Sequence, residues 1–131
     1  MVEALFRSWG GKKFLGFNWT PDKVLEDLRK ISNLAFVENE LGVLILYKEI
    51  PPEAEIFLVF KNKGQDSEVV KRTLEFLFNA NSHVTTWWLE VHEQNLGAKS
   101  LYERVGFELQ STRKNYYSDG GNALIYCHRR R

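Results

Sequence analysis

The segment from Trp87 to Tyr126, WWLEVHEQNLGAKSLYERVGFELQSTRKNYYSDGGNALIY, leaves the chain few folds to choose from, because strand and helix periods follow one another inside it. Thr85–His92 alternates with period two. Trp87, Leu89 and Val91 therefore share one face of a strand, and Trp88, Glu90 and His92 share the other. Asn95 then supplies an N-cap, Ala98, Leu101, Tyr102 and Val105 form the apolar face of a helix, and Gly106 stands at its C-terminal cap position. Phe107–Lys114 and Gly121–His128 read as two further strands, joined by a tight turn at Ser118-Asp119-Gly120-Gly121. One strand face thus carries a carboxylate, Glu90, between an indole and an imidazole.

Upstream, Ala54–Phe60 (AEIFLVF) is a continuous apolar run of strand length, the pattern of a strand covered on both faces and placed centrally in a sheet. Pro51-Pro52 separates it from a hairpin pattern, Leu34–Glu38 and Val43–Glu49, turned by Asn39-Glu40-Leu41-Gly42. Lys61–Asp66 forms a loop, and Asp66 or Ser67 caps a helix whose apolar positions are Val69, Val70, Thr73, Leu74, Leu77 and Phe78. Thr20, Pro21 and Asp22 begin an earlier amphipathic helix, Pro21–Ile31, with Val24, Leu25, Leu28 and Ile31 on one face. Met1–Asn18 shows no clear period. The order is helix, hairpin, strand, helix, strand, helix, strand, strand. That is an α/β layered arrangement around a mixed sheet, since strands joined by helices run parallel and those joined by tight turns antiparallel.

A chain of 131 residues, 44% of them hydrophobic, closes one core, so residues 1–131 are expected to form a single domain. Eighteen basic against seventeen acidic side chains leave a net charge of +1, so bulk electrostatics give no reason to expect nucleic acid as a partner. The longest apolar runs, such as LGVLILY, are too short to span a membrane. The single cysteine, Cys127, rules out an intramolecular disulfide and fits a reducing compartment, and the expected location is the cytoplasm. Cys127, His128, His83 and His92 match no common zinc spacing, and no metal is expected.

Taken together, Leu89-Glu90-Val91, Asn95, Leu101-Tyr102-Glu103-Arg104-Val105-Gly106-Phe107, Arg113-Lys114-Asn115-Tyr116-Tyr117 and Ala123-Leu124-Ile125 resemble the C-terminal half of the Gcn5-related N-acetyltransferases. Within them the resemblance is to the ribosomal-protein alanine N-acetyltransferase (RimI-like) branch. It implies a mixed, mostly antiparallel sheet with helices on both faces. It also implies transfer of an acetyl group from acetyl-coenzyme A to a primary amine, here a protein N-terminus. In the family the acyl donor lies where two parallel strands splay apart, which correspond to Ala54–Phe60 and Thr85–His92. Glu90 matches the general base and Tyr102 the tyrosine beside the thioester sulfur. Asn95 matches the asparagine along the pantetheine arm, with Phe60, Lys61, Lys63, Gly64, Gln65 and Lys99 completing the cofactor side. Trp88, Asn115, Tyr116 and Tyr117 fall on the acceptor side. Each residue also has a plain structural reading. Glu90 reads as an exposed strand residue, Tyr102 as core, Asn95 as an N-cap, and Tyr116 and Tyr117 as cross-strand packing.

Two positions depart from the family pattern. Its phosphate loop reads Gln or Arg, two residues, Gly, one residue, then Gly or Ala; the register here gives Lys61, Gly64 and Asp66. Asp66 either sets an anion where the pyrophosphate would lie or turns away as a helix cap. The residues before Asn18-Trp19 are too few for the family's first strand and full first helix, so the fold is expected to be N-terminally shortened, with an exposed sheet edge that a second copy would cover. Three rival readings follow: a non-catalytic binding or assembly module with this fold, an acetyltransferase for small amines, and an RNA-binding module using Lys61, Lys63 and the Arg129-Arg130-Arg131 tail.

Overall fold

The computed structural model describes residues 35–39, 42–61 and 66–130. Helix Pro21–Ile31, the segment Met1–Asn18, most of the Asn39–Gly42 turn and Lys63, Gly64 and Gln65 of the phosphate loop lie outside the described residues. So does the N-terminal sheet edge. The elements are β1 (Ala35–Asn39), β2 (Val43–Ile50), β3 (Glu53–Lys61), α1 (Ser67–Ala80), β4 (Thr86–His92), α2 (Leu96–Val105), β5 (Glu108–Arg113) and β6 (Ala123–Arg129). Among the described residues, six strands make one sheet in the order β1-β2-β3-β4-β6-β5. Of these, only β3 and β4 pair in parallel, across α1; the other four neighbouring pairs are antiparallel. The expected mixed, mostly antiparallel sheet is the one observed, with β3 near its centre.

The sequence explains each helix boundary. The Asp66 carboxylate accepts a hydrogen bond from the Glu68 N–H at 2.9 Å and caps α1. From there Val70, Leu74, Leu77 and Phe78 bury one stripe. Asn95 Oδ1 accepts from the Ala98 N–H at 3.2 Å at the start of α2. Gly106 ends α2 with φ +112°, a left-handed conformation that costs a Cβ-bearing residue, and its N–H reaches back to the Tyr102 and Glu103 carbonyls. Both described helices lie on the face of the sheet that presents Val43, Ile45, Ala54, Ile56, Val59, Trp87, Leu89, Val91, Leu124 and Tyr126. Aromatic side chains join the layers: Phe78 from α1 packs on Trp87 of β4 (5.2 Å) and on Phe107 (5.9 Å), and Tyr102 from α2 meets Phe107 edge-on (5.7 Å). Each such contact contributes about 0.5–1.5 kcal/mol beyond its buried area.

The opposite face of β2 and β3 is also buried, through Leu44, Leu46, Leu58 and Phe60. This is the two-sided burial expected from the AEIFLVF run. A bulge interrupts that run. Leu46 pairs with Leu58 and Tyr47 with Ile56, leaving Phe57 without a partner on β2. The helix-facing set therefore shifts from Ala54 and Ile56 to Val59.

One connection differs from expectation. β5 and β6 are joined by residues 114–122, not by a tight turn at Ser118–Gly121. The reversal comes earlier, at Tyr117–Gly120, where the Gly120 N–H donates to the Tyr117 carbonyl (2.9 Å) and Gly120 has φ +83°. The strands then stop short because side chains capture the loop backbone. The Gly121 N–H goes to Asp119 Oδ1 (2.7 Å) and the Asn115 N–H to Asn122 Oδ1 (3.0 Å).

Candidate active site

The parallel pair that should splay does so. β3 and β4 share only three rungs, Glu53 with Thr86, Ala54 with Trp87 and Glu55 with Trp88. Beyond them Ile56–Lys61 and Leu89–His92 part, starting at the residues that flank the Phe57 bulge. A bulge bends its strand and increases its twist, which is a local cause for the divergence.

Glu90 stands just past the fork, on the sheet face opposite the helices. Register fixes its neighbours there. Glu55 pairs with Trp88, so both share Glu90's face, and a cavity of about 190 Å³ is lined by Glu55, Trp88, Leu89, Glu90, Arg113 and Ile125. Arg113 Nη1 lies 3.5 Å from Glu90 Oε1. The Arg113 guanidinium also sits over the Tyr116 ring, 5.6 Å from its centroid, and Tyr116 meets Tyr117 edge-on at 5.1 Å. Burial pushes the Tyr117 hydroxyl up to about 12, with the Glu90 carboxylate adding to the effect. Glu55 is also held above the ordinary carboxylate range, first by burial and then by Glu90, while Arg113 opposes the shift.

The structure therefore gathers Glu90, Trp88, Tyr116 and Tyr117 on one side of the sheet. Asn115 belongs to the same loop, exposed and with φ +53°. Tyr102 lies on the other side, buried in the core cluster, and burial pushes its hydroxyl well above the usual tyrosine range. The fork is the opening between the two faces. Asn95 acts as the helix cap that its structural reading gave. Phe60 is a buried partner of Leu44, and Lys61 closes β3. Lys99 lies apart, on a broad groove of about 620 Å³ with Leu96, Leu109 and Tyr126. Of the two alternatives for Asp66, its carboxylate takes the capping role.

Glu55 and Arg113 carry no role in the sequence reading. Glu55 sits inside an apolar run, and only the β3–β4 register brings it beside Trp88. Arg113 reaches Glu90 across β6, a meeting that depends on strand order. Among the described residues, no group of three His, Cys, Asp or Glu side chains is arranged to hold a metal ion. Among them, too, no helix is long and apolar enough to cross a membrane.

No family model matches the chain. A curated relative from Haemophilus ducreyi, a [ribosomal protein bS18]-alanine N-acetyltransferase, is 34% identical over 104 residues, covering 73% of this chain and 72% of its own. The chain belongs to the RimI-like branch of the Gcn5-related N-acetyltransferases. The Escherichia coli K12 member is 27% identical over 126 residues, 94% of this chain and 76% of its own. The crystal structure of the ribosomal-protein-S18-alanine N-acetyltransferase from Escherichia coli superposes with a TM-score of 0.75 at 23% identity, covering 98% of this chain and 89% of the other. A further family structure, from Elizabethkingia anophelis with acetyl-CoA bound, gives 0.68 at 17% identity over 84% of each chain. As a Gcn5-related N-acetyltransferase, the protein is an acetyl-coenzyme A-dependent enzyme that acetylates an amine. The expected mixed, mostly antiparallel fold, family and enzyme class hold, while the N-terminal shortening and any helix on the second face lie outside the described residues.

Proposed function

We propose that this acetyltransferase acts on the α-amine of a protein N-terminus, with Glu90 as the base. The carrying observation is the cavity at the mouth of the β3–β4 fork, where a half-buried Glu90 meets Trp88, Glu55 and Arg113. It has room for an amine and a small side chain. The exposed loop with Asn115, Tyr116 and Tyr117 beside it offers a surface for the residues that follow the acceptor's first. The bS18-alanine enzymes among the relatives, named for an acceptor of this kind, support the choice.

Acetyl-coenzyme A supplies an acyl group already activated as a thioester. The fork, which leaves an unpaired gap between strands, fits it. The Asp66 carboxylate caps α1 at its N-terminus, where its charge opposes a pyrophosphate. Lys61 and, by the family register, Lys63, Gly64 and Gln65 would line the phosphate side, with Asn95 and Lys99 along α2.

An ammonium has no lone pair, so it must lose a proton before nitrogen can bond to carbon. Glu90 takes that proton, directly or through a water. The freed amine forms the C–N bond as the C–S bond breaks; nitrogen sheds its second proton and the departing thiolate takes one up, so the products are the amide and the coenzyme thiol. Tyr102, kept protonated by its burial, donates a hydrogen bond toward the departing sulfur from the helix side of the fork. Arg113 and Glu90 form an ion pair that the incoming cation can replace. Cys127 takes no part: it is buried, and burial pushes its thiol up, so no acyl-cysteine step is drawn.

The test is acetylation of an Ala-starting ribosomal peptide compared with small polyamines. Transfer to the peptide's α-amine is expected. Transfer to polyamines alone, or to neither, overturns the proposal.

A further inference from the structure

His92 ends β4 on the same face as Glu90, two residues further on, and is 3% exposed. Its imidazole is fixed from three directions. Nδ1 accepts a hydrogen bond from the Gln94 N–H at 3.1 Å. Nε2 lies 2.9 Å from Asp119 Oδ2 and 3.2 Å from Oδ1, so with Nδ1 accepting, Nε2 carries the proton and donates it to the carboxylate. The ring face stacks on Tyr117, centroids 4.7 Å apart at 24°. There is no slack on the remaining side, because a Cβ at Gly121 would collide with Nε2 and Cε1 of His92. Asp119 and Tyr117 both belong to the loop between β5 and β6. The same carboxylate that accepts from His92 also accepts from the Gly121 N–H, at 2.7 Å.

The loop is thus held to the end of β4 by one imidazole, and the tyrosine stacked on that imidazole is the one whose hydroxyl feels the Glu90 charge. A second tie runs alongside, from the Asn122 side chain to Glu93 Oε2 at 3.0 Å. That tie fixes the base of the loop at β6. It does not orient Tyr117. Backbone hydrogen bonds close the turn around Tyr117, from its N–H to the Gly121 carbonyl (3.1 Å) and from the Gly120 N–H to its carbonyl (2.9 Å), but they do not set its ring, and holding a binding group within a fraction of an ångström requires support of the kind the imidazole gives.

We propose that His92, clamped by Asp119 and Gln94, is a positioning residue that holds Tyr117 beside Glu90 and so sets affinity for the acceptor peptide. This rests on the reading of that loop as the acceptor side. It predicts an effect on acceptor binding and none on acetyl-coenzyme A. His92 is buried and its variants risk misfolding, so the test is made at exposed Asp119. Asp119→Ala should raise the peptide KM about tenfold while changing kcat and the acetyl-coenzyme A KM less than twofold. Asp119→Asn, which keeps an acceptor for Nε2, should restore most of the loss. Tyr117→Ala should raise KM similarly, and the double variant should be no worse than the single ones.

A readout without catalysis separates this proposal from the choice of acceptor. Hydrogen exchange at the Tyr117 amide, whose acceptor is the Gly121 carbonyl and not Asp119, should speed up in Asp119→Ala, even if the peptide proves to be the wrong substrate. Unchanged exchange overturns the proposal. So does additivity of Asp119→Ala with Tyr117→Ala, or an equal rise in KM for both substrates.

Discussion

Replacing Glu90 with glutamine tests the chemistry at one atom. Glutamine keeps the shape and can still hydrogen-bond Arg113, but it cannot take a proton. Loss of a general base costs roughly 10²- to 10⁴-fold in rate, or about 3–5 kcal/mol in activation free energy. The structural penalty is much smaller. The ion pair that is lost is 3.5 Å long and its arginine side chain is 55% exposed, so it contributes no more than about 1 kcal/mol to the fold. The two effects differ enough to be separated. Turnover at saturating peptide should fall at least a hundredfold, acetyl-coenzyme A affinity by calorimetry should stay within about twofold, and the urea midpoint should move little. A fall in turnover below about tenfold, or one that follows the unfolded fraction, would refute Glu90 as the base. Should Glu55→Gln carry the loss instead, the proton goes to the neighbouring carboxylate in the same cavity.

Tyr102→Phe should lower kcat by about ten- to a hundredfold with KM values kept, because only a hydroxyl leaves a packed ring site; wild-type kcat should show no tyrosine limb in mildly alkaline buffer, since burial holds the phenol protonated. Asp66→Ser keeps a capping oxygen but removes a negative charge from the start of α1, so acetyl-coenzyme A should bind several-fold more tightly at low salt while the melting temperature stays within a few degrees; equal or weaker binding would show that Asp66 lies outside the phosphate field. Glu55 has its pKa raised in the folded state, so its contribution to stability is fully present below the unfolded pKa and is lost as pH rises through the folded one. Glu55→Gln should therefore be more stable than wild type at neutral pH, with the advantage shrinking as pH falls toward about 4 in urea titrations.

The parts of the fold that sequence revealed are those set by local rules. Glycine at 106 follows from the left-handed end of α2, and Asn95 and Asp66 follow from the need of the first helical N–H groups for acceptors. Alternation in Thr86–His92 is enough by itself to put Trp87 in the core and Trp88 and Glu90 on the other face, without any pairing register. What stayed hidden depends on pairings between distant segments. The Phe57 bulge leaves no mark in an apolar run, because every residue there is buried or half-buried whichever way the strand alternates. The Glu90–Arg113 contact requires β6 to lie between β4 and β5. His92 and Asp119 meet only because Gly121 leaves room for the imidazole, and a glycine beside another glycine reads first as a turn.

The missing rungs between β3 and β4 carry one more implication. Past Glu55 and Trp88 the peptide groups that would have closed the ladder point into an opening, and they belong to residues of any identity. What a guest meets there is main chain, and main chain does not mutate. Substitution can drift through the side chains around such a gap while the gap itself persists, provided the strands keep their ends pinned and the bulge keeps them apart.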